Sequence, residues 1–211
     1  MKGNLDIKDF KRIMQSINNT IQDNRIVLCQ LDSIIGDGDH GVTMAKGLEA
    51  AVEKLEIDNP SSISGLLKTA GNAITMTIGG VSGPIFGTFF SEMGRAIDAS
   101  KESVDLKDLA AMFRVSLEKI MRLGGAKPGD KTMVDALEPA VKDIEISSTS
   151  TVDIKTAMES MAKAAKKGAE STKDMISLKG KSSYSGERSL GYEDAGANTV
   201  YFILSAFYEA V

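Results

Sequence analysis

The spacing of apolar residues is helical along almost the whole chain. In the first segment, residues 7–31, apolar side chains recur every three or four positions, which is typical of an amphipathic helix. Alternating apolar and polar runs are short, so strand signals are weak. The pattern predicts an all-α protein of about eight helices joined by short connections. After 7–31, the predicted helices span residues 41–55, 61–78, 84–99, 105–123, 132–146, 151–175 and 198–211.

Glycine is unusually frequent for a helical chain. Each of the 20 glycines would cost about 1 kcal/mol relative to alanine inside a helix, and most of them cluster at the predicted junctions. Loops between antiparallel helices alternate between two ends, so several glycine-rich junctions should share one end. Loops on a rigid scaffold commonly hold binding sites. We therefore expect a single domain, residues 1–211, with its site in the loops at one end.

Composition and charge narrow the class of function. The formal net charge of −4 and the lack of a basic run argue against a general nucleic-acid binder, which must neutralise phosphates. The one cysteine, Cys29, excludes an internal disulfide and fits a reducing compartment. No apolar stretch has the length of a membrane span or the form of a secretory signal. We expect a cytoplasmic protein that binds neither membrane nor nucleic acid.

Three carboxylates, those of Asp32, Asp37 and Asp39, follow the first predicted helix at close spacing. Placed on a helix end and a tight turn, they would converge on one point and need a cation to offset their repulsion. Anionic, all-oxygen ligation suits Mg²⁺ and not Zn²⁺. Because Mg²⁺ held by a few carboxylates completes its shell with water and substrate phosphates, the cluster predicts a phosphate-bearing ligand. The alternative for the turn alone is an acidic turn with Asp39 as a helix cap.

Two neighbouring features could contact such a phosphate. His40, the only histidine, begins the second predicted helix, where it could bond a phosphate or act as an acid or base. For His40, a capping or supporting role is a better interpretation than a role in covalent catalysis. The glycine-rich run 79–84 opens the fourth predicted helix, and its backbone N–H groups and the Ser82 hydroxyl suit an anion.

Two further polar segments are candidates for the same site. Residues 124–132 look like a phosphate-binding P-loop, but an aspartate, Asp130, precedes Lys131 and no strand precedes the run. The run is therefore read as a loop that could still line a nucleotide pocket. The last polar connection lies between the predicted helices 151–175 and 198–211. Its Lys181 and Arg188 side chains could contact phosphate or ribose. The alternative for that connection is a solvated loop between helices.

Together these motifs resemble the ADP-binding L subunits of bacterial dihydroxyacetone kinases over nearly the whole chain. The blocks that carry the resemblance span residues 31–41, 80–84, 86–90, 127–133 and 184–189. The resemblance implies a closed barrel of eight antiparallel helices, in which Asp32, Asp37 and Asp39 bind two Mg²⁺ ions that bridge the phosphates of ADP or ATP. The nucleotide contacts that it implies are His40, Gly41, Val42, Thr43, Val81, Ser82, Gly124, Met133, Lys181, Asp194, Ala195 and Gly196.

The resemblance also implies a function shared with other chains. In this family the L subunit passes a phosphoryl group to dihydroxyacetone, which a separate K subunit holds through a histidine. In phosphoenolpyruvate-dependent systems the ADP stays bound and is recharged by a phosphocarrier M subunit, and in some bacteria the L subunit also contacts a transcriptional activator. No catalytic residue is assigned here, because the acceptor hydroxyl arrives on another chain. A non-catalytic nucleotide-binding regulator and an ATP-dependent kinase subunit for another small sugar or polyol remain alternatives.

Three positions depart from the family pattern. Thr43 stands where asparagine is usual, Lys181 where arginine is usual, and Ala195 where proline is usual. Lysine keeps the positive charge of arginine but loses its planar fork of donors. These changes bear on nucleotide affinity or partner choice more than on the fold.

Overall fold

Helices make up nearly all of the regular structure. The computed structural model describes residues 3–211, so the first two residues of the expected 1–211 domain lie outside it. Two short strands, β1 (Leu5–Asp6) and β2 (Ser103–Val104), pair antiparallel, and 3₁₀ turns span Thr172–Asp174 and Lys181–Ser189. Because these strands are only two residues long and the rest of the regular structure is helical, the prediction of an all-α protein is confirmed. Within the described residues the α-helices are α1 Ile7–Asp23, α2 Arg25–Ile35, α3 His40–Asp58, α4 Ile63–Thr77, α5 Ser82–Arg95, α6 Leu106–Gly124, α7 Met133–Ser148, α8 Ile154–Ser171 and α9 Ala195–Ala210.

Side-chain caps fix where several helices begin. Asp6, Asp105 and Thr132 cap α1, α6 and α7 by accepting hydrogen bonds from backbone N–H groups of the first turn. In each case the aspartate three residues later bonds back to the N–H of the capping residue, which forms a capping box. Each cap satisfies donors that the helix itself leaves unpaired, and is worth roughly 1 kcal/mol.

The first predicted helix, residues 7–31, is wrong in one respect, because the chain forms two helices there. Asn24 lies between α1 and α2, and its side-chain Nδ2 donates to the Thr20 carbonyl at 2.8 Å. On α2 only Leu28 and Ile35 are buried, whereas Ile26 is 65% exposed. The break therefore lies at Asn24, and α2 buries fewer apolar residues than α1 does.

The helices pack in chain order around one hydrophobic core. From α3 to α9 each helix contacts the next one, α9 also contacts α1, and α1 contacts α3. Helix α2 lies outside this succession and packs mainly against α3. Aromatic rings tie distant helices together, since the ring of Phe113 on α6 lies 5.9 Å from that of Phe207 on α9. None of the helices in residues 3–211 is both long and apolar enough to cross a membrane.

Helices α4 and α5 approach each other closely at Gly71. A Cβ added there would lie 2.4 Å from the carbonyl oxygen of Gly87 and 2.7 Å from the amide nitrogen of Ser91. Both are backbone atoms, so relief requires α5 to shift.

We expect Gly71→Ala to lower the free energy of unfolding by about 2 kcal/mol, even though alanine is the better helix former. Chemical denaturation measures the change. The control is Gly79→Ala, because no heavy atom lies within 4 Å of a Cβ added there. Equal stabilities of the two variants would contradict the prediction.

Candidate metal and phosphate site

A cavity of about 640 Å³ opens where several helices begin or end. Its walls combine the end of α2, the last turn of α6, the starts of α3, α5, α7 and α9, and part of the connection between α8 and α9. Several glycine-rich junctions thus meet at one cavity, as the distribution of glycines predicts. All but two of the metal and nucleotide contacts that the family resemblance implies line it: Asp32, Asp37, Asp39, His40, Thr43, Val81, Ser82, Gly124, Met133, Lys181, Asp194, Ala195 and Gly196.

The three carboxylates of the acidic cluster converge on one point of the wall. Asp32 lies in the last turn of α2, while Asp37 and Asp39 lie in the loop before α3. One oxygen from each lies within 4.8 Å of the others. The carboxylate of Asp32 also shapes the loop, because its Oδ2 accepts the N–H groups of Gly38 at 2.9 Å and of His40 at 3.3 Å. Gly38 has a φ of +78°, which favours glycine at the turn.

The donor set of this cluster fits Mg²⁺. It consists of carboxylate oxygens alone, which are the hard ligands that Mg²⁺ prefers. Asp39 is the residue before α3, but its side chain makes no capping hydrogen bond, so the carboxylate is not committed to the helix. Elsewhere in residues 3–211 no second group of three acidic, histidine or cysteine side chains comes this close together.

Lys181 brings a positive charge to the same cluster. Its ammonium forms an ion pair with Asp37, although the two residues are far apart in sequence. The hydrogen bond from Lys181 holds the pKa of Asp37 below its usual range. Both side chains are well exposed, so the pair itself contributes little to stability. The contact nevertheless shows that the Lys181 ammonium reaches the place where metal and phosphate charges would meet.

His40 is held as a neutral imidazole. Burial lowers the pKa of His40, against the opposing effect of the nearby Asp32 and Asp39 charges. Its Nε2 lies 2.8 Å from the hydroxyl oxygen of Thr199, and that hydroxyl can also donate to the carbonyl of Ala195 at 3.0 Å. In a neutral imidazole one ring nitrogen donates and the other accepts, and the tautomer decides which of the two groups donates in the contact with Thr199. His40 therefore links the start of α3 to α9.

The start of α5 offers backbone donors to the same cavity. Helix α5 begins at Ser82 after a turn in which Gly80 has a φ of +67°, and no side chain caps the helix. The first N–H groups of α5 and the positive end of its dipole are therefore available to an anion. Phosphate groups commonly bind at such helix starts.

Only some residues of the P-loop-like run 124–132 line the cavity, and the same is true of the last polar connection. Gly124, Lys131 and Thr132 line the cavity, but the run follows helix α6 and not a strand. From the last connection Lys181 lines the cavity, whereas Arg188 is exposed outside it.

Of the contacts that the family resemblance implies, the two that do not line the cavity are Gly41 and Val42. Gly41 is buried, and a Cβ added to it would lie 2.0 Å from the carbonyl oxygen of Arg25. It therefore lets α3 pack closely against α2. The side chain of Val42 is 54% exposed. The structure thus gives Gly41 a packing role and places Val42 on the outside of the helix.

An apolar wall of the cavity was missed by sequence reasoning. It consists of Ile35, Ile85, Phe86 and Ile120, on α2, α5 and α6. These residues obey the same three- and four-residue spacing as the core, so the sequence carries no signal that separates them from it. The wall gives the cavity a surface on which a planar base can lie.

Asp194 is a half-buried residue that lines the cavity. Its Oδ2 accepts the N–H of Ala197 at 2.7 Å and so caps α9. Burial raises the pKa of Asp194 to about 7, with a further contribution from Asp135, while the Ala197 bond and the Lys131 charge oppose the rise. In the unfolded chain the carboxyl titrates near its ordinary value of 3.8.

A pH dependence of stability follows from this raised pKa. Between those two pKa values the folded state holds a proton that the unfolded state has lost, so the contribution of Asp194 to stability falls as the pH rises through about 7. We expect wild type to lose about 2 kcal/mol more than Asp194→Asn between roughly pH 5 and pH 8. Asparagine keeps the cap but does not titrate. The free energy of unfolding of both proteins is measured across this pH range without nucleotide. If it changes equally in wild type and in Asp194→Asn, the prediction is contradicted.

The chain is similar to known proteins along most of its length. Residues 34–209 match the family described as DAK2 domain. The chain is 40% identical over 177 residues to the "PEP-dependent dihydroxyacetone kinase, ADP-binding subunit DhaL" of Escherichia coli, covering 84% of each chain. It is 33% identical to the ADP-binding subunit DhaL of dihydroxyacetone kinase 1 from Listeria innocua, covering 94% of this chain and 93% of that one.

A solved structure is similar as well. The dihydroxyacetone kinase from C. freundii, in complex with AMP-PNP and Mg²⁺, matches with a TM-score of 0.74 and 25% identity over 95% of this chain. The chain spans about a third of the length of that kinase, since 33% of it is covered. The chain therefore belongs to the DAK2-domain family, the family of the dihydroxyacetone kinase L subunits that its sequence motifs resemble.

Proposed function

We propose that this chain is the nucleotide-binding phosphotransferase subunit of a dihydroxyacetone kinase. It holds ADP or ATP with Mg²⁺ and passes the phosphoryl group to dihydroxyacetone bound on a separate K subunit. The observation that carries the proposal is the acidic cluster of Asp32, Asp37 and Asp39, which lines one cavity with the uncapped start of α5. The names of the relatives and the AMP-PNP and Mg²⁺ of the C. freundii structure support the same assignment.

Different residues of the proposed site would bind the metal ions, the phosphates and the base. Asp32, Asp37 and Asp39 would hold two Mg²⁺ ions, which when bound neutralise and orient the phosphate oxygens. The start of α5 with Ser82, and the Lys181 ammonium, would bind the same phosphates. The base would lie against the apolar wall of Ile35, Ile85, Phe86 and Ile120, which would shield it from water. The proposed contacts with the rest of the nucleotide are His40, Thr43, Val81, Gly124, Met133, Asp194, Ala195 and Gly196.

We further propose that the fold is a closed barrel of eight antiparallel helices in a single domain, residues 1–211. The members would be α1 and α3 to α9. Support comes from the succession of contacts that runs from α3 to α9 and returns through α1 to α3. Helix α2 would then be an addition outside the barrel, and it carries Asp32 to the cavity.

The proposed partners are a K subunit that brings the substrate and a phosphocarrier M subunit that recharges the bound ADP. The phosphoenolpyruvate-dependent names of the relatives support this pair. A cytoplasmic location belongs to the same proposal, while contact with a transcriptional regulator is its alternative role.

A reconstitution experiment tests the function. The purified chain is combined with a K subunit, dihydroxyacetone and either ATP or a phosphoenolpyruvate-fed M subunit, and dihydroxyacetone phosphate is measured. We expect product only when this chain is present. Bound ADP that survives purification supports the phosphocarrier route, and free exchange supports direct use of ATP. Nucleotide binding without transfer would favour a regulator, and transfer only to another sugar or polyol would favour a different kinase.

A further inference from the structure

Lys131 is a fully buried lysine, with 0% of its surface exposed, in the loop that resembles but is not a P-loop. Its ammonium donates to the backbone carbonyls of Tyr192 at 2.6 Å, Ser189 at 2.5 Å and Met175 at 3.2 Å. A neutral amine has only two N–H groups, so three such bonds require the charged form. Burial lowers the pKa of Lys131, while the charges of Asp194 and Asp174 oppose that shift.

All three acceptors lie on one stretch, residues 175–192, which joins the turn after α8 to the start of α9. The loop of Lys131 touches this stretch at one more point, where the Leu178 N–H donates to the Asp130 carbonyl at 3.0 Å. The stretch is also tied to itself, since the hydroxyl of Ser189 accepts the N–H of Ser177 at 2.9 Å. Residues 175–192 are also held elsewhere, since the Ser185 hydroxyl donates to the Ile35 carbonyl at 3.2 Å and the Gly191 N–H donates to the Lys173 carbonyl at 2.8 Å. Among the described residues, however, no other side chain makes as many hydrogen bonds to the stretch from outside as Lys131 does.

The same stretch supplies one wall of the cavity. Lys179 to Ser182 line it directly, and Asp194 to Gly196 follow immediately after the stretch ends. The stretch contains little regular structure besides the 3₁₀ turn Lys181–Ser189, in which Gly186 breaks the helical backbone. Its position must therefore be set by contacts from outside, and the three hydrogen bonds of the Lys131 ammonium are among these contacts.

We propose that Lys131 is a positioning residue for nucleotide binding, which fixes residues 175–192 and thereby places Lys181 and the start of α9 against the nucleotide. This inference rests on the proposed function, because it assigns Lys131 a part in the same site. Lys131 need not touch the nucleotide, since it acts through the stretch that it holds.

The test is Lys131→Met, in which an unbranched side chain of similar length removes the charge and keeps the same left-handed backbone demand (φ +58°). The affinity for ADP with Mg²⁺ is measured by calorimetry at a temperature where circular dichroism shows a folded protein. We expect it to fall by at least roughly tenfold, because misplaced contact groups lose binding steeply. Hydrogen exchange without nucleotide should rise in residues 175–192 and stay unchanged in α3 to α5. The control is Lys127→Met, an exposed lysine of the same loop.

The outcomes separate positioning from general stability. A folded Lys131→Met protein with lower melting temperature but wild-type affinity would give Lys131 a purely structural role and overturn the proposal. If the methionine variant does not fold, Lys131→Gln retains two donors and takes its place, with a smaller loss of affinity expected. Unchanged affinity in the folded glutamine variant, or failure of both variants to fold, would also overturn it. If wild type itself binds no ADP, the proposed function fails, whereas unchanged exchange in residues 175–192 counts against Lys131 alone.

Discussion

Changing Asp37 to asparagine should weaken the binding of ADP in the presence of Mg²⁺ by roughly 100-fold or more, equivalent to about 3 kcal/mol. Asparagine keeps the shape of the side chain but removes the negative charge that a hard divalent ion requires. In wild type the apparent affinity for ADP should rise steeply with Mg²⁺ concentration. In the variant this dependence should almost disappear, because Asp32 and Asp39 alone supply too little charge. Titration calorimetry at several Mg²⁺ concentrations measures both quantities.

A matched control exists on the surface of α3. Asp58 is exposed like Asp37, and its carboxylate pairs with the Lys54 ammonium at 2.9 Å, as that of Asp37 pairs with Lys181. Asp58→Asn therefore removes an equivalent charge and ion pair at a place with no acidic cluster. We expect Asp58→Asn to bind ADP with wild-type affinity. The free energy of unfolding of Asp58→Asn and of Asp37→Asn should each lie within about 0.5 kcal/mol of the wild-type value.

A further variant separates the metal role of Asp37 from its pairing with Lys181. Lys181→Met breaks the same ion pair but leaves all three carboxylates in place. Its ADP affinity should remain dependent on Mg²⁺, even though a phosphate contact is lost. If Asp37→Asn binds ADP as wild type does, or if Lys181→Met abolishes the Mg²⁺ dependence equally, the cluster is not a metal site.

The acidic cluster was predictable because its members are close in sequence. Asp37 and Asp39 share a loop, and Asp32 lies one turn of helix before it, so local geometry alone brings them together. The helix starts were predictable for the same reason, since caps such as Asp105 and Thr132 act within a few residues. Signals of this kind need no knowledge of the tertiary fold.

Features that depend on the tertiary fold were not predictable. Leu28 follows Ile21 by seven residues and so continues the helical spacing of α1, and the break at Asn24, after which α2 packs mainly against α3, was therefore missed. Ile85 and Phe86 on α5 follow a core pattern, yet they line the cavity. A lysine in a polar loop is normally expected in solvent, so nothing in the sequence indicated that Lys131 is buried. In each case the neighbour that decides the role lies far away along the chain.

Gly41 is the residue whose expected role changes most between sequence and structure, and Gly41→Ala tests the new role. The family resemblance implies a contact with nucleotide, whereas its Cα packs against the backbone of α2. An alanine Cβ would lie 2.0 Å from the Arg25 carbonyl oxygen and 3.0 Å from the Cys29 amide nitrogen. Because both are backbone atoms, α2 must move away from α3. We expect the free energy of unfolding to fall by about 2–3 kcal/mol.

The same displacement should also damage the metal site. Helix α2 carries Asp32, and the loop that begins α3 carries Asp39, so separating the two helices pulls the carboxylates apart. We expect Gly41→Ala to lose ADP affinity at saturating Mg²⁺ by roughly tenfold or more, even when measured on folded protein.

Val42→Ala provides the control, because Val42 adjoins Gly41 but its side chain is exposed. If packing of α2 on α3 is what matters, Val42→Ala should keep nearly wild-type stability and affinity. If both residues act instead through direct nucleotide contact, Val42→Ala should lose affinity without loss of stability, and Gly41→Ala should unfold at the same denaturant concentration as wild type. Denaturation and calorimetry on the two variants therefore distinguish a residue that shapes the cavity from one that touches its contents.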